Sequence, residues 1–172
     1  MKNFFISTFL LISATAFSQV AIGKESVINN SVSLEFGTGN KGIVLPWATS
    51  EIVVTDAVDG TIVYDTTDKK VKYRKSGSWF DLSVDTNGAV DTTLQASKSE
   101  LSNAKAVIGT NGATDTTPGI LVLSDDNKAL ILPKVALPHQ NIKNPAAGMI
   151  AYDTTYRQLV VFNGTNWSFW KP

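Results

Sequence analysis

The sequence predicts an all-β protein made of two tandem, related modules. Three observations carry that prediction. First, Gly60-Thr61-Ile62-Val63-Tyr64-Asp65-Thr66-Thr67, running on to Trp79, returns as Gly148-Met149-Ile150-Ala151-Tyr152-Asp153-Thr154-Thr155, running on to Trp167. The offset is 88 residues from glycine to tryptophan, without a gap. Second, short β-branched and aromatic runs alternate with polar residues and are bounded by Gly, Asp and Asn, as strands and turns require. Third, no stretch carries a sustained helical period.

Residues 1–18 read as a signal peptide. Lys2 supplies the positive start, and Phe4 to Phe17 is apolar apart from hydroxyls. Ala16-Phe17-Ser18 places the cut between Ser18 and Gln19. The apolar run is shorter than the roughly 20 residues that span a bilayer, so no membrane span is expected in the mature form. Removing these residues takes away one lysine and leaves 14 basic against 15 acidic side chains. So even a balance argues against nucleic acid or anionic lipid as partner. The chain has no cysteine, so packing or assembly must supply its stability.

Module 1 is assigned to 19–83. Val20-Ala21-Ile22-Gly23 opens it, and Ser33-Leu34-Glu35-Phe36 alternates polar and apolar. Ile43-Val44-Leu45-Pro46 reads as a short strand whose pairing the proline ends, since proline has no N–H to give the ladder. Trp47 to Asp59 reads as a loop, with Ile52-Val53-Val54 a candidate strand inside it. Thr61-Ile62-Val63-Tyr64 is a strand by composition. Asp65 then turns the chain by bonding its own backbone two residues on. Val71 and Tyr73 alternate with Lys70, Lys72 and Arg74, predicting one buried and one wet face. After the Ser76-Gly77 turn, Trp79-Phe80-Asp81-Leu82 completes a three-stranded antiparallel meander.

Residues 84–105 are rich in Thr, Ser, Asp and Asn and read as a linker. Thr92 and Gln95 have capping-box spacing, and the stretch reads either as a short helix of about three turns or as coil. Module 2, 106–172, repeats the order. Val107-Ile108-Gly109 matches Ala21-Ile22-Gly23, and Gly119-Ile120-Leu121-Val122-Leu123 stands for Ser33 to Phe36. Ser124-Asp125-Asp126-Asn127 is a turn, and Lys128 to Pro133 repeats Lys41 to Pro46. The second meander ends on Trp167-Ser168-Phe169-Trp170.

The shared residues have structural work to do. Gly60 and Gly148 stand where a loop enters a strand, which suits a positive φ or a close approach. Asp65 and Asp153 read as turn residues, Tyr64 and Tyr152 as strand and core positions. Trp79 and Trp167 read in two ways: as anchors of a small core, or, with Trp170, as an aromatic platform for a ligand such as a sugar ring. Alternation puts Trp167 and Phe169 on one face and Ser168 and Trp170 on the other. The aromatic last strand, with modules of roughly 65 residues near the limit for a self-sufficient core, points to self-association.

Catalytic constellations are thin. His139 is the one histidine, and no serine sits in a nucleophile elbow. No zinc-ligand spacing occurs. Asp125-Asp126-Asn127 lacks the calcium-loop pattern and reads as a polar turn. No phosphate loop is present. The expectation is therefore no catalytic residue, no metal and no cofactor.

Taken together, the Ile-Gly start, Lys-Gly-Ile-Val-Leu-Pro, Gly-x-Ile-x-Tyr-Asp-Thr-Thr and Asn-Gly-Thr-x-Trp resemble a repeat of secreted and surface proteins of bacteria, found beside phage tail-fibre-like segments. Both copies fit, over nearly all of the mature chain. Trp47 and Lys134 stand where arginine is usual, and Lys75-Ser76-Gly77-Ser78 replaces the Asn-Gly-Thr turn in the first copy. The resemblance implies extracellular, β-rich, non-enzymatic modules, sometimes in trimeric fibrous assemblies. The expected function is a structural or adhesive component acting through protein–protein or cell-surface contact. The alternative is a carbohydrate-binding module using Trp79, Trp167 and Trp170.

Overall fold

The computed structural model describes residues 18–99, 101 and 103–171. The signal peptide therefore lies almost wholly outside the described residues. The first repeat carries β1 (Val20–Ile22), β2 (Val32–Phe36), β3 (Ile43–Val44), β4 (Trp47–Ala48), β5 (Ile62–Asp65), β6 (Lys70–Lys75) and β7 (Ser78–Asp81). The second carries β8 (Ala106–Ile108), β9 (Leu121–Leu123), β10 (Ala129–Ile131), β11 (Lys134–Val135), β12 (Met149–Asp153), β13 (Gln158–Phe162) and β14 (Trp167–Trp170). Among the described residues helix is confined to single turns, and the protein is all-β.

Each repeat contains its antiparallel meander, β5-β6-β7 and β12-β13-β14. Each opens on a short parallel pair, β1 with β2 and β8 with β9. The same bond closes both pairs: Gly37 N–H donates to Ile22 and Ser124 N–H to Ile108. Left-handed backbone recurs at the 88-residue offset too, at Asp56 and Asn144, Gly60 and Gly148, Lys69 and Arg157. The duplication is thus legible in φ as well as in sequence.

Pro46 does not end the pairing. It hands the strand from one sheet to another. β3 pairs antiparallel with β12 of the other repeat, whereas β4, directly after the proline, pairs parallel with β5 of its own. The Pro46 carbonyl accepts the Tyr64 N–H at 2.9 Å, and Pro133 does the same for Tyr152. Proline lacks only the donor, so its acceptor can still hold an edge. Two further expectations are corrected. Ile52 and Val53 form no strand; Glu51–Val53 is a 3₁₀ turn, capped by the Ser50 hydroxyl, and leaves both side chains exposed. The helix in 84–105 is the single turn Thr93–Ala96, and Thr92 makes no side-chain cap; Asp91 instead accepts from the Thr93 N–H.

The two repeats share strands and core. β10 pairs with β2, and β3 with β12. One core lies within the second repeat, built from Val135, Ile142, Met149, Ala151, Val160 and Phe162. The other joins Tyr64 and Val71 of the first repeat to Ala147, Ile150 and Val161 of the second. The start of the 84–105 stretch is also pinned to the second repeat. The Ser168 hydroxyl accepts the Val84 N–H, and the Asn163 amide donates to the Asp85 carbonyl. Gly88 is buried there, and a Cβ on it would lie 2.5 Å from the Lys69 carbonyl oxygen and 2.6 Å from that of Asn163.

Candidate functional site: the contact between the repeats

The repeated motif is where the halves of the chain meet. Val44 stands opposite Met149 and Ile43 opposite Ile150. The Leu45 N–H donates to the Gly148 carbonyl at 3.1 Å, and the Trp47 indole N–H to the Ala147 carbonyl at 2.9 Å. Tyr64 is fully buried, and its hydroxyl donates to the Asn163 carbonyl at 2.8 Å. Burial, with Asp68 and Asp65 nearby, pushes the Tyr64 phenol up to about 12, so it stays a donor through the physiological range. Gly148 has φ +78°, and a Cβ there would lie 2.7 Å from Tyr64 Cβ. Only glycine allows that approach.

Asp65 and Asp153 hold their hairpins in the same way. Asp65 accepts from the Thr67 and Asp68 N–H groups, Asp153 from those of Thr155 and Tyr156. Both carboxylates are buried.

Lys72 is the functional-looking residue that alternation misplaces. It was expected on the wet face, yet it is 5% exposed. Its ammonium reaches Glu51 at 2.7 Å, Asp65 at 3.4 Å, and Asp68. Those three carboxylates have the geometry of a metal cage, but the lysine occupies its centre. Burial disfavours charge on Asp65; the Glu51 contact and the Glu51, Asp68 and Thr67 N–H groups outweigh it and hold Asp65 at about 2. Burial likewise opposes charge on Lys72, but the Asp68 and Glu51 bonds prevail and raise its pKa. The second repeat has Pro138, Tyr156 and Val160 where the first has Glu51, Asp68 and Lys72. Joint replacement of three charges between the aligned repeats, at an offset of 87 for Glu51 and 88 for Asp68 and Lys72, is the signal that could have revealed the cluster.

The tryptophans are held separately. Trp79 on β7 is half-buried, with the Arg74 guanidinium 5.8 Å from its ring centre. Trp167 packs on Phe162 at 5.1 Å between ring centres, beside the second-repeat core. Trp170 is 41% exposed and donates its indole N–H to the Leu82 carbonyl. Among the described residues, no ring contact joins the three. His139 is exposed and sits edge-on to Phe169. Asp125 accepts from Thr110 and pairs with Lys128, so its oxygens are engaged within the chain.

Against this geometry, residues 107–171 match a family described as a phage tail like trimerisation region. That match spans the second repeat, and it supports a tail-fibre-like association for the chain. No curated protein and no solved structure matches it significantly. Among the described residues, no helix is long and apolar enough to cross a membrane.

Proposed function

We propose that this protein is a structural, non-catalytic module of an exported, tail-fibre-like assembly. It acts by associating with copies of itself as a homotrimer and presents a surface to a protein or cell-surface partner. The match of residues 107–171 to a trimerisation region carries this reading. Strand exchange between repeats supports it, because the same surfaces that join the halves can join copies. Residues 1–18 supply the export route to the extracellular space, cell surface or periplasm. The test is the mass of residues 19–172 by light scattering at tens of micromolar. Three times the chain mass is expected, and a clean monomer overturns the reading. The N-terminal sequence of the protein recovered from cells tests export; it should begin at Gln19.

A second reading, glycan binding, is favoured by one observation: Trp170 and Phe169 leave 41% and 43% of their surface exposed on the last strand. A glycan array compared between the wild type and Trp170→Ala decides it. Binding that the substitution abolishes supports the reading, and an array without binding removes it.

A further inference from the structure

The contact between the repeats has a donor side and an acceptor side, and the chain uses each only once. The donor is the first repeat: β3, Leu45 and Tyr64. The acceptor is the second: the β12 edge at Met149–Ile150, with Gly148 beneath Tyr64. Because the repeats are equivalent, the second repeat also has a donor, and the first an acceptor.

That second acceptor is open. Thr61 and Ile62, at the entry to β5, correspond to Met149-Ile150 of β12. β12 is covered at this position by β3, while, among the described residues, β5 pairs on that side only with β4, at Tyr64–Asp65. The Tyr64 N–H points to this edge, where Pro46 receives it. The two-residue alternation therefore aims the Ile62 N–H and C=O at the same edge. Gly60 has φ +91°, like Gly148, but none of the described residues comes within 4 Å of where its Cβ would stand, the place Tyr64 fills at Gly148. An apolar groove of about 260 Å³ opens here, lined by Gly60, Ile62, Tyr73, Leu82 and Leu159. Gly60, Ile62 and Tyr73 are the counterparts of Gly148, Ile150 and Val161, which the first repeat seals. The groove is the unfilled copy of a contact that the same chain shows filled.

Among the described residues the second donor keeps one free edge: β10 pairs with β2 on its inner side, and Leu132 after it already packs against the core between the repeats. β10, the counterpart of β3, is the outer strand of its sheet, and Leu130 is 38% exposed. Tyr152, the counterpart of Tyr64, is half-buried.

We infer that the groove and β5 edge of one copy receive the free edge of β10 and Tyr152 of a second copy, in the register that β3 adopts on β12. This rests on the self-association proposed above and names the surface that performs it. Transposing the register puts Ile131 opposite Thr61 and Leu130 opposite Ile62. Tyr152 then lies over Gly60, and its hydroxyl reaches the Lys75 carbonyl. Lys134, which replaces Trp47, arrives at Asp59, which replaces Ala147. An ion pair thus stands where the internal contact has an indole hydrogen bond. One donor and one acceptor per copy make a head-to-tail contact, and such contacts build a ring when the rotation closes.

The chain has no cysteine, so an engineered pair reports cleanly. The Leu45–Gly148 bond makes Val44–Met149 a non-hydrogen-bonded pair, the closer kind, whose spacing suits a disulfide. Val44→Cys/Met149→Cys is the internal control and should close within one chain. Thr61→Cys/Ile131→Cys tests the inference, read by mass and non-reducing gel after mild oxidation, with circular dichroism to confirm folding. Covalent species at two and three times the chain mass are expected. A 61/131 disulfide within one chain overturns the inference. So does a trimer whose control pair closes while 61/131 stays reduced; that result leaves the trimeric reading standing. A monomeric particle removes both. Leu130→Asp gives an independent reading: the exposed site should keep the monomer's spectrum and lower the assembled fraction at least tenfold. Undiminished assembly counts against β10 as donor.

Discussion

Replacing Lys72 by methionine should destabilise the first repeat and invert its response to acid. The Lys72 ammonium lies 2.7 Å from Glu51 and 3.4 Å from Asp65, with its side chain 7% exposed. At an effective dielectric of about 20, those separations correspond to gross attractions of about 6 and about 5 kcal/mol. Removing the ammonium from water cancels most of that, so the net worth of the cluster is small. Deleting one partner is different, because it leaves Asp65 buried without a counter-charge; such deletions cost about 3–5 kcal/mol. Asp68 and Glu51 are partly solvated, and water takes up some of the loss. We therefore expect about 3 kcal/mol, read from urea titration with an unchanged m-value. The pH response is the sharper readout. In the wild type the Asp65 pKa is depressed from 3.8 to about 2, so its contribution is present above pH 4 and lost as pH falls toward 2. Without Lys72, three carboxylates crowd together, their pKa values rise, and mild acid should stabilise the variant instead. The second repeat supplies the rescue. Glu51→Pro with Asp68→Tyr and Lys72→Val copies its apolar solution and should restore stability to within about 1–2 kcal/mol of wild type. A cost below about 1 kcal/mol with the acid slope unchanged would refute the role assigned to the cluster.

Other substitutions separate neighbouring effects. Gly60→Ala in dilute solution should cost only backbone strain, about 1–2 kcal/mol, whereas Gly148→Ala adds overlap with Tyr64, a further 1–3 kcal/mol or so. Equal urea midpoints would show that Tyr64 does not seal Gly148. Trp167→Ala should cost about 2–4 kcal/mol, somewhat less than a fully buried ring. Trp79→Ala, losing half-buried area and one cation–π contact, should cost about 1 kcal/mol; thermal or urea unfolding that ranks them the other way contradicts their placements. Asp65→Asn should flatten the wild-type fall in stability between pH 4 and pH 2, and a slope that persists would assign it to other carboxylates.

The meanders were legible because their information is local. Alternation along Thr61 to Leu82, the Asp-Thr-Thr turns and a glycine before each strand all act within a few residues. The contact between repeats was not. β3 is two residues long, and nothing in Ile43-Val44 specifies an edge about a hundred positions away. Proline hid the hand-off at Pro46, since the missing donor is visible in sequence and the retained acceptor is not. Lys72 was misplaced because alternation assigns a face without saying what covers it. Here the cover is the Glu51 turn, and apolar Ile52 beside it is left in water. The equivalence of Glu51, Asp68 and Lys72 with Pro138, Tyr156 and Val160 was present in the repeat alignment all along, and only a shared location makes it meaningful.

The strand that β3 lends to β12 has a consequence for how such a protein can be divided. A lone second repeat would expose the Met149–Ile150 edge and the uncovered Gly148, so it would be an incomplete object, driven to borrow a strand from a neighbour. Joining two repeats in one polypeptide makes the loan internal. The borrowed strand is then present at an effective concentration set by the tether, in the millimolar range for short flexible connections. Dilution cannot remove it, whereas any contact formed between separate chains must weaken as the protein is diluted.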